Sequence, residues 1–573
     1  MSSDSPKSMA TSLRLWPGLA LVALLWGFAN LPALFAEPPM PVFMAAFFGP
    51  LACVVLIIVW WVAASRASRR EKLLGAGGLG LLLLVAMVLM HPTMRGFPLL
   101  SMVLPWGGTA FVLGLAATRW LKTLPRTATA LLAVALAFGF WTLVRMDGVW
   151  GDFQSERTWR WQPTPEQRYL AQRTSNGGGA VPAETLAQAE WPGFRGAERD
   201  ATVPGLALAE DWEKRPPRVL WRAPVGPGWS SFAVAGQSLF TQEQRGEFEA
   251  VVAYDAATGT ELWAHEYRSR FFEAMGGVGP RATPTLADGM LFALGAEGLL
   301  HRLDPTNGEV VWQADLRQDA DREPPMWGFS SSPLVADGFV IVHAGGEGNR
   351  GLLAYGISDG QVRWGAPAGG HSYSSPQLVQ VAGRRSVALV CDAGLSLVDP
   401  ADGSIIWRHA WPHNNYRVIQ PLVVDDSTLL MTTDFQGTRR LDLRPEGTGL
   451  AADERWTSRA MKSGFNDYVA HEGSLYGFDP NILAAVDLET GERQWKGGRY
   501  GNGQLLLLPD ADQLLVLTEK GELALLRANP EQLEELSRFS VLGSKTWNHP
   551  ALVGDRLYVR NAEEMAALAM PLR

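Results

Sequence analysis

The sequence predicts an N-terminal α-helical membrane domain of five spans followed by an all-β eight-bladed propeller, with seven blades as the alternative. Three observations carry that expectation. Apolar, charge-free runs crowd residues 1–150, a polar stretch broken by Pro and Gly fills 151–190 as a flexible linker, and from 191 to 573 a tryptophan recurs at near-even intervals.

The five apolar runs are 15–36, 38–65, 73–94, 96–118 and 127–144. At about 1.5 Å rise per residue, roughly 20 residues cross the ~30 Å hydrocarbon layer, so these lengths fit bilayer spans. Helices are expected despite Pro32, Pro50 and Pro105, because backbone amides in lipid must pair within their own segment. Leu34, Phe35 and Ala36 do not form a small-x-small cleavage site, which argues for an anchor over a removed signal peptide.

Charge sets the expected orientation. Lys7 and Arg14 precede the first run, Arg66, Arg69, Arg70 and Lys72 separate the second from the third, and Arg119, Lys122 and Arg126 separate the fourth from the fifth. The intervening short loops on the other side hold Arg95. The positive-inside rule then places the N-terminus in the cytoplasm and, after five crossings, the remainder on the periplasmic or extracytoplasmic side of the cytoplasmic (inner) membrane.

Residues 1–150 hold 11 basic and 4 acidic groups, leaving 39 and 54 of the chain's 50 and 58 for the rest. This split excludes a soluble cytosolic enzyme. It also argues against nucleic acid as a partner, which needs a concentrated positive surface. Cys53 and Cys391 are the only cysteines, too few for a disulfide framework, a zinc cluster or a haem attachment motif.

Beyond residue 190 the recurring unit is Asp-x-x-x-Gly-x-x-x-Trp: Asp255, Gly259, Trp263; Asp304, Gly308, Trp312; Asp399, Gly403, Trp407; Asp487, Gly491, Trp495. A fifth copy has Gly356 in place of Asp, and a sixth is interrupted between Gly447 and Trp456. Two β-like runs precede each unit, so each repeat reads as a four-stranded meander. Trp221, Trp263, Trp312, Trp364, Trp407, Trp456, Trp495 and Phe539 are separated by 42, 49, 52, 43, 49, 39 and 44 residues, the period of propeller blades. Residues 218–222 have outer-strand character without inner strands, and 549–569 supply inner strands without a Trp unit. Pairing the two ends would complete an eighth blade and remove open edges.

The unit, as in Asp255-Ala-Ala-Thr-Gly-Thr-Glu-Leu-Trp263, resembles the repeat of pyrroloquinoline quinone (PQQ) dehydrogenases and that of the cofactor-free propeller lipoprotein of the outer-membrane assembly machinery. The opening Trp191-Pro-Gly-Phe-Arg-Gly196 is similar to the entry segment of bacterial propellers of this type. Five spans before such a propeller also resemble membrane-bound quinoprotein glucose dehydrogenase. The resemblance implies two functions. The first is a membrane-anchored extracytoplasmic propeller binding a small ligand or an envelope protein at its channel mouth, in cell-envelope assembly. The alternative is a sugar or alcohol dehydrogenase holding PQQ and a divalent metal and passing electrons to membrane quinone. The vicinal Cys pair of PQQ alcohol dehydrogenases is missing, and no metal ligands are assigned.

In a propeller, the link from each outer strand to the next inner strand crosses one face and rings the channel. Those links are 228–231, 279–283, 326–330, 370–374, 414–417, 462–467, 499–504 and 545–549. Most pair an aromatic ring with a cation or an amide, a chemistry suited to a planar, anionic or polyhydroxylated ligand. Arg281, Arg417 and Lys545 are expected to meet carboxylates; Trp327, Tyr373 and Trp547 to stack; Asn466, Asn548 and His549 to orient. Asn414 and Asn415 lie in the same ring of links. Asp467 and His371 are the candidate proton acceptors should the site be catalytic. The competing reading is a narrow channel whose polar lining holds water.

Overall fold

The computed structural model describes residues 13–35, 40–151, 154–173, 178–412, 416–433, 436–447 and 449–573. Asn414 and Asn415 lie outside the described residues. The chain divides into two compact units, one of Met1–Gly148 with Ser155–Pro163 and one of Val149–Gln154 with Thr164–Arg573.

The first unit holds α1 (Trp16–Ala29), α2 (Met40–Val59), α3 (Arg69–Leu89), α4 (Leu104–Ala117) and α5 (Thr123–Thr142). Among the described residues, four stretches are long and apolar enough to cross a bilayer: Pro41–Ala64, Arg69–Leu89, Leu99–Ala117 and Thr123–Thr142. The first helix is shorter than its apolar run. It stops at 14 residues, and the chain continues as a 3-10 turn over Leu31–Leu34. Pro32 explains the stop, since it lacks an N–H and disfavours helix at the residue before it. Ser68 and Glu71 form a capping box at the start of α3, and the same Glu71 carboxylate receives Arg126 of α5 at 2.7 Å, both side chains being buried.

The second unit contains eight four-stranded antiparallel sheets, which settles the blade count at eight. The first blade runs Ala233–Ala235, Ser238–Arg245, Phe248–Asp255 and Glu261–Arg268. The eighth is assembled from both ends of the domain. Arg218–Pro224 pairs with Glu564–Ala569, Trp221 lying opposite Ala567, and Arg556–Arg560 and Ala551–Val553 complete the sheet.

The repeat has a physical explanation in the turns. The Asp255 carboxylate accepts the N–H groups of Ala257 and Thr258 at 2.9 and 2.8 Å, and Asp487 does the same for Glu489 and Thr490. Asp is favoured there because its short side chain closes the turn against its own backbone. The glycine four residues on takes a left-handed φ, +73° at Gly259 and +78° at Gly308, a region costly for residues with a Cβ.

The second unit also carries α6 (Pro165–Gln172), capped by Thr164 and Gln167. Its Tyr169 is buried and donates its hydroxyl to the Glu243 carboxylate at 2.5 Å, while Glu166 holds Arg270 at 2.9 Å. Farther on, the Gly179 and Val181 N–H groups donate to Leu262 and Thr306 carbonyls. This stretch, expected as a flexible tether, runs along blades 1 and 2.

Candidate functional site at the channel mouth

A closed belt of hydrogen bonds rings the channel where each link enters its inner strand. The Ser231 N–H donates to Thr283 Oγ1 at 3.0 Å, Thr283 N–H to Ser332 Oγ at 3.0 Å, and Ser332 N–H to Ser375 Oγ at 2.9 Å. Ser374 Oγ donates to Gln420 Oε1 at 3.3 Å, and Gln420 N–H to Asp467 Oδ1 at 2.8 Å. Asn466 Nδ2 reaches the Gly503 carbonyl at 2.7 Å, and Gln504 Nε2 the Trp547 carbonyl at 3.0 Å. Asn548 Nδ2 donates to the Gly228 and Ser230 carbonyls at 3.2 and 2.7 Å, and Ser231 Oγ closes the ring on the His549 carbonyl at 2.6 Å. Every blade is thereby tied to its neighbour by buried polar groups that need partners.

The entry segment seals the channel beside this belt. Trp191 pairs with Val234 of blade 1 and Thr202 with Leu507 of blade 7. Arg199, buried, donates to the Ser332 and Pro376 carbonyls at 3.3 and 2.9 Å, to Thr285 Oγ1 at 3.2 Å and to the Pro333 carbonyl. Arg195, also buried, reaches the Tyr468 carbonyl at 3.3 Å and the Asp467 carboxylate at 3.5 Å. Arg195, Arg199 and Ala201 all adopt left-handed φ near +60°, a strained conformation that persists where surrounding contacts over-determine it.

These findings relocate several expected ligand-binding residues. Asn466 and Asn548 belong to the belt. Asp467 faces Arg195 and the Gln420 amide; burial pushes its carboxyl pKa up, opposed by Arg195. His549 lies edge-on to Phe194 at 4.8 Å, and burial beside Arg195 holds its pKa well below the usual imidazole range. Arg417 is buried, its guanidinium donating to the Cys391 and Trp411 carbonyls at 3.1 Å each. Arg281 is paired with Glu273 at 3.1 Å and stacked 4.7 Å over Phe271.

The remaining expected residues fall into two clusters on the mouth face. In one, Trp327 stacks on Tyr416 at 4.1 Å and on Tyr373 at 5.0 Å, with His371 edge-on to Tyr373 at 4.9 Å. Trp327 and Tyr416 are half-buried, and the adjacent Met326 is 55% exposed. Burial, then the nearby Arg322, lowers the His371 pKa. In the other cluster, Lys545 Nζ stands 4.2 Å over Trp547, Trp547 packs on Trp229 at 4.9 Å, and the Trp547 Nε1–H donates to Glu519 at 2.7 Å.

Tyr416, Trp229, Glu519, Arg195 and Arg199 complete the site and were not singled out by sequence reading. Trp229 and Tyr416 lie in the links already identified. Glu519 sits in a turn between two strands of blade 7, where nothing periodic marks it.

With the eight sheets and the turn geometry in place, one comparison decides the family. The family model described as "Outer membrane protein assembly factor BamB" matches residues 213–326 and 322–497. The chain belongs to the PQQ-repeat β-propeller superfamily. It is 25% identical over 389 residues to "Outer membrane protein assembly factor BamB" of Shewanella oneidensis, covering 62% of this chain and 89% of that protein. Among solved structures it is similar to BamB from Moraxella catarrhalis, at 14% identity and a TM-score of 0.45, covering 62% of this chain and all of that one. It is similar also to a quinohemoprotein alcohol dehydrogenase from Pseudomonas putida HK5, at 11% identity and 0.40, covering 70% and 83%.

Three carboxylates on the mouth face of this PQQ-repeat propeller are already engaged by protein groups, which leaves them poorly suited to hold a divalent metal beside PQQ. A metal needs carboxylates free to coordinate it. Asp467 is held by Arg195, Glu273 by Arg281 and the Met275 N–H, and Glu519 by Trp547 and the Asn502 N–H. The cations expected to meet carboxylates, Arg281, Arg417 and Lys545, all donate to protein acceptors.

Proposed function

We propose that this PQQ-repeat propeller is anchored in the cytoplasmic membrane, projects to the extracytoplasmic side, and holds a protein partner against its mouth face during cell-envelope assembly. The observation that carries this reading is the Trp327–Tyr416 stack beside exposed Met326. Half-exposed aromatic and Met side chains on a rigid base are the composition of protein docking surfaces. The name shared by the sequence relatives, outer membrane protein assembly factor, supports the envelope setting. The nine basic residues flanking the apolar runs on one side support the orientation.

A photo-crosslinking residue at position 326 in the full-length protein tests the docking surface in cells. The expected result is a discrete protein adduct that Trp327→Ala with Tyr416→Ala reduces at least tenfold while the melting temperature holds. An adduct indifferent to both substitutions, or none, overturns the reading. Reporter fusions should place residues 66–72 in the cytoplasm and residue 573 outside it; the opposite pattern overturns the orientation.

A further inference from the structure

The half of the mouth face around Lys545 and Glu519 is built to grip polypeptide backbone. Residues 149–151 of the chain's own second unit lie there. The Gly151 N–H donates to Glu519 Oε1 at 2.7 Å, and Lys545 Nζ donates to the Val149 carbonyl at 3.1 Å. An anionic acceptor and a cationic donor thus take an N–H and a C=O two residues apart, where the strand Val144–Val149 ends and the chain turns. Both bonds are charge-assisted, and both address main chain, so they tolerate varied side chains.

Each charged group is shaped for this task. Glu519 is 5% exposed and also receives Trp547 Nε1–H at 2.7 Å and the Asn502 N–H at 3.2 Å, which fix its carboxylate in place. Lys545 is 8% exposed, lies over the Trp547 ring at 4.2 Å, and approaches the Met275 carbonyl at 3.5 Å. Buried charges keep their environment favourable through partners, so each loses an interaction when the strand leaves. Selectivity enters at one position. A Cβ on Gly151 would come within 1.8 Å of Asn502 Nδ2, so any larger residue must push the Asn502 amide aside and glycine is favoured there.

We infer that this seat is a binding site for extended peptide carrying glycine at the position facing Asn502, occupied in cis by residues 149–151 and open to a peptide in trans once that strand is displaced. The site rests on the mouth geometry alone and stands whether or not the Trp327 cluster docks an envelope protein.

The test uses the full chain in detergent and a fluorescent peptide of residues 146–154, followed by anisotropy. In the wild type the tethered strand competes at high effective concentration, so the peptide binds weakly. Gly151→Val should expel the strand and tighten peptide binding at least tenfold. Adding Glu519→Gln or Lys545→Met to that variant should reverse the gain, and a peptide with valine at the Gly151 position should not bind. Amide exchange gives a second readout that needs no added peptide: the Gly151 N–H should exchange at least tenfold faster in Lys545→Met, with far-ultraviolet circular dichroism unchanged. Equal peptide binding by wild type and Gly151→Val, or unchanged Gly151 exchange in Lys545→Met, would overturn the inference.

Discussion

The indole of Trp312 packs on Gly360 of the following blade, and its Nε1–H donates to the Ile357 carbonyl in the same turn at 2.9 Å. A Cβ at Gly360 would lie 2.6 Å from Trp312 Cδ2. The same relation joins Trp221 to Gly259, Trp263 to Gly308, Trp364 to Gly403 and Trp456 to Gly491. Blades 1 to 3 thus each carry half of two blade interfaces, the glycine receiving one indole and the tryptophan supplying the next.

Gly360→Ala is expected to destabilise the propeller by ~2 to 5 kcal/mol, combining left-handed strain for an alanine with overpacking against the indole. Trp312→Ala removes the indole instead and should cost about 3 to 5 kcal/mol. Denaturant unfolding of the full chain, followed by tryptophan fluorescence, measures both. A near-neutral Gly360→Ala would separate the glycine from the interface.

Asn548→Ala should lower stability by about 1 to 3 kcal/mol, because the Gly228 and Ser230 carbonyls lose a buried donor. From sequence this residue reads as one that orients a ligand; its belt position assigns it a stability role. The comparison that decides is its melting temperature against that of Trp327→Ala, which should stay within about 1 °C of wild type since surface changes are usually small.

Arg195→Met leaves the Asp467 carboxylate buried without its cation and should cost about 3 to 5 kcal/mol. Arg195→Met with Asp467→Asn should recover much of that loss, because the amide needs no counter-charge. A double variant as unstable as the single one would show that Arg195 acts through the Tyr468 and Asp200 carbonyls instead.

Glu249 is buried between blades 1 and 2, where it accepts the Tyr267 hydroxyl at 2.8 Å and the Ala296 N–H at 3.2 Å. Burial raises its carboxyl pKa to about 7, with Glu297 adding to the shift and Arg281 opposing it. The folded state then holds a proton that the unfolded chain releases near pH 4.5. Stability from this group is complete below pH 4.5 and is lost as pH rises through 7. Glu249→Gln should leave stability at pH 4.5 unchanged and raise it at pH 8 by up to about 3 kcal/mol. Melting curves across that range check it; parallel curves for both proteins would place the carboxyl in its ordinary range.

Much of the scaffold was legible because its determinants are local and periodic. A left-handed glycine, a turn-closing aspartate and an indole four residues on recur in every good repeat, and the unpaired strand characters at 218–222 and 549–569 foretold how the ring closes. The mouth was legible only as a set of segments. Trp327 and Tyr373 do come together, yet the ring nearest Trp327, Tyr416, carries no mark that separates it from other aromatic residues. Arg417 and Asn466 look alike in composition to ligand-binding groups and are structural because of what surrounds them.

Sequence alone determined the blade unit and the way its ends pair, along with a charge pattern around apolar helices, since each follows from local steric and hydrogen-bonding needs, and it left the blade count at eight or seven. Tertiary structure decided what fills the axis. Arg195 meets Asp467, and Gly151 meets Glu519, across hundreds of residues of chain with no shared period, so the course of aperiodic segments through the finished ring determines which charges are satisfied. The early stop of α1 at Asn30 and the docking of α6 through Tyr169 were decided at the same level, by one proline's missing N–H and by a buried carboxylate at Glu243.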